Sequence, residues 1–191
     1  LLRHAPDFRD EAGLADALLH PQDRAYSVPQ LLDLLAAAGL EFVRLLPDAW
    51  PTRRRDFLMG SADRFTALDE TDLGTLRSAL DDAHAAGVRV VLAPISLPGA
   101  RWKQLNGDRD DGRLWRDASF QGQAEDFWRQ LAGRLKGHPA LVAYNPLNEP
   151  HPERAFEFED PEEKGFPEWA AKAKGTPADL DAFNRRIVAA I

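Results

Sequence analysis

A repeat of architecture, rather than of residues, constrains this chain most. A helical stretch, a glycine, a short apolar run and a proline recur three times, with Gly39, Gly87 and Gly137 about 50 residues apart. The apolar runs cover 40–46, 88–93 and 140–144, and each then meets a proline, at Pro47, Pro94 and Pro146. Continuous apolar runs of this length suit parallel strands buried on both faces, and proline, lacking a ladder N–H, marks where each strand stops. The helices carry their own start signals. Ser27 as N-cap with Gln30 three residues on forms a capping box ahead of Val28, Leu31, Leu32 and Leu35. Asp69 opens the second helix, whose stripe is Leu73, Leu76, Leu80 and Ala83. The third opens near Asp117 or Ser119 and presents Ala124, Phe127, Trp128, Leu131 and Leu135. A fourth is expected from Thr176 as N-cap, with Pro177 in the first helical position and Asp179 at N3.

The connections are unequal. Helix-to-strand links are minimal, whereas 47–68, 94–117 and 146–176 each exceed 20 residues. All the elaboration therefore sits at the C-terminal ends of the strands, where open parallel sheets and (β/α)8 barrels both build their sites. Long loops in a compact domain are usually functional. These hold Trp50, Trp102, Trp115 and Trp169, beside Arg101, Asn106, His151 and many carboxylates.

Composition removes several classes. A net charge of -7 argues against a nucleic-acid or anionic-membrane partner, and Arg53-Arg54-Arg55 is the only basic cluster. Without cysteine there is neither a disulfide nor a thiolate metal site. The turn Asn106-Gly107-Asp108-Arg109-Asp110-Asp111-Gly112 lacks the alternate spacing and closing glutamate of a calcium loop and reads as a charged turn. No phosphate-binding glycine loop, Gly-x-Ser-x-Gly elbow or His-Glu-x-x-His is present, so no cofactor or metal is implied.

The third run leads into Leu147-Asn148-Glu149-Pro150. A carboxyl group at a strand end, beside an amide, is a candidate acid/base catalyst, with Asn148 able to hold a substrate hydroxyl and Pro150 fixing the backbone. On these residues, and on the approach Gly137-His138-Pro139-Ala140-Leu141-Val142-Ala143-Tyr144, the chain resembles the clan A glycoside hydrolases, most closely the family 5 cellulase-like enzymes. Their fourth barrel strand ends in Asn-Glu-Pro. The resemblance implies an α/β fold, a partial (β/α)8 TIM barrel of about strands two to four with flanking helices. It also implies retaining hydrolysis of β-linked oligo- or polysaccharides, with carbohydrate as partner and no cofactor. Glu149 would be the general acid/base and Asn148 would hold a sugar hydroxyl. Leu40-Glu41-Phe42-Val43-Arg44-Leu45 resembles the family's second strand, whose arginine supports the nucleophile, and Arg44 fills that position.

Retaining glycosidases work with two carboxyl groups roughly 5 to 5.5 Å apart. The family's nucleophile ends strand seven, so this chain is expected to be a fragment that holds one half of the pair and is inactive alone. Trp50, Trp102 and Trp115 suit stacking on pyranose rings, and His151 is a candidate substrate contact. His138 falls on the opposite side of the sheet and His84 on a helix surface, both structural. The third strand departs from the family pattern, with Ile95 and Ser96 where many members carry a histidine. Residues 39–191 are expected to form the truncated N-terminal half of the hydrolase domain, and 1–38 a helical segment of uncertain origin. Within the latter, 20–32 is similar to a segment of some class I methyltransferases, whose glycine-rich cofactor loop is absent. A non-catalytic carbohydrate-binding remnant, a methyltransferase-related protein and an open parallel sheet stand as alternatives.

Overall fold

The computed structural model describes residues 27–47, 56–155 and 165–191. Trp50, the arginine cluster at 53–55 and the short helix expected within 8–19 lie outside the described residues, as does most of the methyltransferase-like segment. The element order is α1 (Val28–Ala37), β1 (Phe42–Leu45), α2 (Glu70–Ala85), β2 (Arg89–Leu92), α3 (Ala118–Leu135), β3 (Leu141–Tyr144), α4 (Phe166–Ala173) and α5 (Leu180–Ala190). Local chemistry sets the helix starts. Ser27 and Gln30 exchange both hydrogen bonds of the capping box, and Asp69 and Asp117 accept from first-turn amides of α2 and α3. The module glycines turn each helix into its strand with φ of +74° at Gly39, +73° at Gly87 and +79° at Gly137. Only glycine adopts that region without strain.

The strands pair in parallel in the order β1-β2-β3. Val43 and Leu45 pair with Val90 and Leu92, and these face the helices. Leu141 and Tyr144 join them, three residues apart instead of two, because Val142 is an extra residue between the pairs Val90–Leu141 and Val91–Ala143. This bulge turns Tyr144 onto the helix side, where its ring meets Trp128 edge-to-face at 5.4 Å.

The expectation of strands buried on both faces does not hold. Phe42, Arg44 and Arg89 lie on the face away from the helices and are exposed, Phe42 to 52%. The described helices cover one face only, and on the other the Arg89 guanidinium lies 5.7 Å from the Phe42 ring centroid.

Two further differences concern the last connection. The fourth expected helix starts at Leu180, with Asp179 rather than Thr176 as N-cap. Thr176 instead sends its hydroxyl back to the Ala173 carbonyl at 2.6 Å, closing α4. Helix α4 itself falls in a stretch expected to be loop, since Gly165 offers it no side-chain cap. The stretch after β1 is also less of a free loop than its length implies. Phe57, Leu58, Met59, Ala62, Phe65 and Leu68 enter the core, and the Phe65 ring meets Phe127 at 5.5 Å. The largest fully buried side chains, Trp128, Phe127 and Phe183, come from α3 and α5. Truncating such an aromatic costs about 3–5 kcal/mol.

Candidate active site

Every elaborated connection leaves the same end of the sheet, and hydrogen bonds there carry the ladder past its prolines. Asn145 donates to the Leu92 carbonyl and Asn148 to the Pro94 carbonyl, both at 2.8 Å. The Pro146 carbonyl accepts from Trp128 Nε1 at 3.0 Å. Leu147 and Asn148 are buried. The backbone then kinks at Glu149, whose φ of +48° is in the left-handed region. A non-glycine residue there costs on the order of 1–2 kcal/mol, and such residues gather at functional sites. The kink leaves the Glu149 side chain exposed.

Glu149 borders a cleft of about 20 Å3 whose walls include Ile95, Arg101, Trp102, Leu147 and His151. That is room for about one water molecule. His151 Nδ1 lies 2.7 Å from Glu153 Oε1. A larger cavity of about 740 Å3 opens between Pro152, Trp169, Ala173 and Leu180, with Glu153 in its wall.

Charged groups tie the loops around this cleft. Arg101 grips Asp56 with two bonds of 2.8 Å, Nε to Oδ1 and Nη2 to Oδ2, and Asp56 Oδ2 also accepts from the Ala62 amide at 2.6 Å. Arg113 grips Asp111 in the same bidentate way and reaches Asp63 at 2.7 Å. Arg154 pairs with Asp110 at 3.2 Å, and Arg116 donates to the Arg154 carbonyl. Two of the three aspartates of the acidic turn, Asp110 and Asp111, are therefore paired with arginines. The Arg113 hydrogen bond holds the Asp63 carboxyl below its ordinary range. At Asp111 burial pushes upward, and the bonds from Arg113 and the Arg101 amide outweigh it, again leaving the carboxyl below its usual range. Arg101 is raised by its bonds to Asp56.

The sequence-derived candidates fall in different places. Glu149, Trp102 and His151 share the cleft, whereas Asn148 is buried and is not among the residues that line it. Trp102 is half-buried, its amide donating to Ser96 Oγ at 3.0 Å. Trp115 lines the same cleft, but it is 2% exposed and packs edge-to-face on Phe183 at 5.1 Å. Arg44 stands on the open face of the sheet, in register with Val91 and through it with Ala143. His138 is on the far side, where Asp81 meets its Nε2 at 3.2 Å. Sequence reasoning missed Asp56, Arg113 and Glu153; only the first of these lacks a local signal, since Arg113 and Glu153 each sit two residues from their partner.

Residues 15–191 match the family model described as Cellulase (glycosyl hydrolase family 5). The chain belongs to glycosyl hydrolase family 5. Beta-galactosidase BbgII of Bifidobacterium bifidum is 30% identical to this family 5 chain over 128 residues, 59% of the chain and 18% of that protein. The structure of a GH5_18 from Bifidobacterium longum subsp. infantis superposes with a TM-score of 0.52 at 17% identity, over 86% of this chain and 35% of that one. For the endoglucanase Cel5A of Pseudomonas stutzeri the TM-score is 0.48 at 23% identity, over 82% of this chain and 39% of that one. The family 5 chain thus spans under a fifth of the curated relative's length, and its three parallel strands with their helices form part of a (β/α)8 barrel.

Proposed function

We propose that this family 5 chain supplies the acid/base half of a retaining β-glycosidase site acting on β-linked oligo- or polysaccharides. The observation that carries the reading is Glu149, held in a left-handed kink at the C-terminal end of β3 and exposed beside Trp102. Glu149 protonates the glycosidic oxygen as the aglycone departs. It then takes a proton from the water that attacks the covalent glycosyl intermediate. Asn148 holds the sugar hydroxyl next to the scissile bond, and Trp102 offers a flat apolar face. His151 contacts the substrate from the same cleft. The intermediate forms on a second carboxylate from elsewhere in the barrel, because Asp111, the other carboxylate of the cleft, is committed to Arg113. Arg44 fixes that second carboxylate from the open sheet face.

The test uses the complete barrel protein and a series of aryl β-glycosides. Glu149→Ala is expected to slow substrates with poor leaving groups by about 10²–10⁴-fold, the usual worth of a general acid. Activated leaving groups need no proton, so their glycosyl intermediate accumulates. Azide, which attacks without a general base, then restores turnover and releases the β-glycosyl azide. Wild-type rates in Glu149→Ala, or an azide product of inverted configuration, would overturn the assignment.

A further inference from the structure

The pair His151–Glu153 has a chemical consequence independent of Glu149. A carboxylate only accepts, so the 2.7 Å contact requires Nδ1 of His151 to carry the proton. Solvated imidazole prefers the proton on Nε2; here the preference is reversed. Glu153 is well placed to impose that reversal. Its side chain is 18% exposed, and it sits in the short 3₁₀ turn Pro152–Ala155 behind buried Pro152. His151 is more open, at 37%, and lines the cleft that Glu149 borders. Among the described residues, Nε2 of His151 has no hydrogen-bond partner.

We infer that Glu153 is a positioning residue that fixes His151 as the Nδ1–H tautomer, so that Nε2 presents a lone pair in the cleft and accepts a hydrogen bond from a substrate hydroxyl. The specificity this gives is for a donor. A glycoside lacking the hydroxyl that reaches Nε2, or carrying an acceptor-only group there, loses the contact. The substrate side of this inference rests on the glycosidase reading; the tautomer does not.

Two measurements separate those parts. In the 191-residue chain labelled with ¹⁵N, long-range proton–nitrogen correlations at about pH 8, above the usual histidine range, report which ring nitrogen is protonated. The His151 signals are assigned by their loss in His151→Gln. Wild type is expected to show Nδ1–H, Glu153→Gln to keep it through the amide oxygen, and Glu153→Ala to shift to Nε2–H. An Nε2–H ring in wild type, or no change in Glu153→Ala, overturns the inference whatever the fate of Glu149.

In the complete protein, with the aryl β-glycoside that wild type turns over, Glu153→Ala and His151→Gln are each expected to raise KM by about tenfold, one hydrogen bond's worth, with kcat little changed. The double variant is expected to be no worse than either, and Glu153→Gln to restore most of the loss. Additive losses, or a fall in kcat at constant KM, would show a structural role instead. Failure of azide rescue at Glu149 alongside an Nδ1–H ring would sink the glycosidase reading and leave the positioning of His151 intact.

Discussion

Replacing Arg101 by methionine tests how far the loops around Glu149 depend on one ion pair. The side chain of Asp56 is 9% exposed and that of Arg101 17%. Arg101 supplies two of the three hydrogen bonds to the Asp56 carboxylate, and the Ala62 amide supplies the third. In Arg101→Met, Oδ1 loses its donor and the carboxylate keeps its charge with one amide facing it. Breaking a buried pair from one side costs about 3–5 kcal/mol. The guanidinium edge is partly open, which lets water reach Oδ1, so the low end, about 3 kcal/mol, is expected. With a urea dependence of about 2 kcal/mol/M for a domain of this size, the unfolding midpoint falls by about 1.5 M. Tryptophan fluorescence of the 191-residue chain reads it directly, since Trp102 adjoins Arg101. Adding Asp56→Asn removes the stranded charge, so the double variant is expected to recover about 1–2 kcal/mol. A loss under about 1 kcal/mol for Arg101→Met, or strictly additive effects, would refute the clamp.

Gly99 has φ +75°, and a Cβ there would sit 2.6 Å from the Phe120 ring and 2.9 Å from the Leu114 nitrogen. Gly99→Ala is expected to cost about 2–4 kcal/mol in urea unfolding from left-handed strain plus overpacking, against about 1 kcal/mol for Gly60→Ala, where φ is +68° but nothing lies within 4 Å; equal losses would mean Phe120 moves freely aside. Trp115→Ala is expected to cost about 3–5 kcal/mol of stability, and Trp102→Ala less than about 1 kcal/mol while raising KM for the glycoside in the complete protein; an unchanged KM would remove Trp102 from the sugar site. Asp63 and Asp111 are both held low by Arg113, and a carboxyl depressed in the folded state contributes stability that is present above its unfolded pKa and lost as pH falls through the folded one. The urea midpoint is therefore expected to drop more steeply between about pH 5 and about pH 3 in wild type than in Arg113→Gln, and parallel slopes would rule the network out as a source of acid sensitivity.

Much of the fold is legible in the sequence because its signals are local. The caps at Ser27, Asp69 and Asp117 and the module glycines each act within a turn of their own position, and all serve as expected. The start of α5 is not, because two capping residues stand three apart, and the choice between them depends on α4, whose last turn takes the Thr176 hydroxyl. Helix α4 carries no cap to read. The clamp is illegible for a different reason: Asp56 and Arg101 are 45 residues apart and meet only because β1 and β2 are neighbours. Exposure of one sheet face escapes the sequence too, since an apolar run does not say which neighbours cover it.

The site shows the same division between local and non-local causes. Direction is supplied within the described residues. The amide of Asn148 is tied to the loop after β2, Trp128 seizes the Pro146 carbonyl, Leu147 is buried, and the ring of Pro150 fixes that residue's own φ. With both flanks fixed, Glu149 is the one residue left to absorb the turn, and it does so in the left-handed region. The strain is thus a consequence of anchoring and not of the carboxylate, and replacing Glu149 by glutamine or alanine should leave the kink in place. What a general acid further requires is removal from water or a neighbouring charge that favours its protonated form. Glu149 is exposed beside a water-sized cleft. On the acid/base reading, the kink after β3 aims Glu149, and the rest of the barrel would supply the groups that desolvate it and oppose it across the scissile bond.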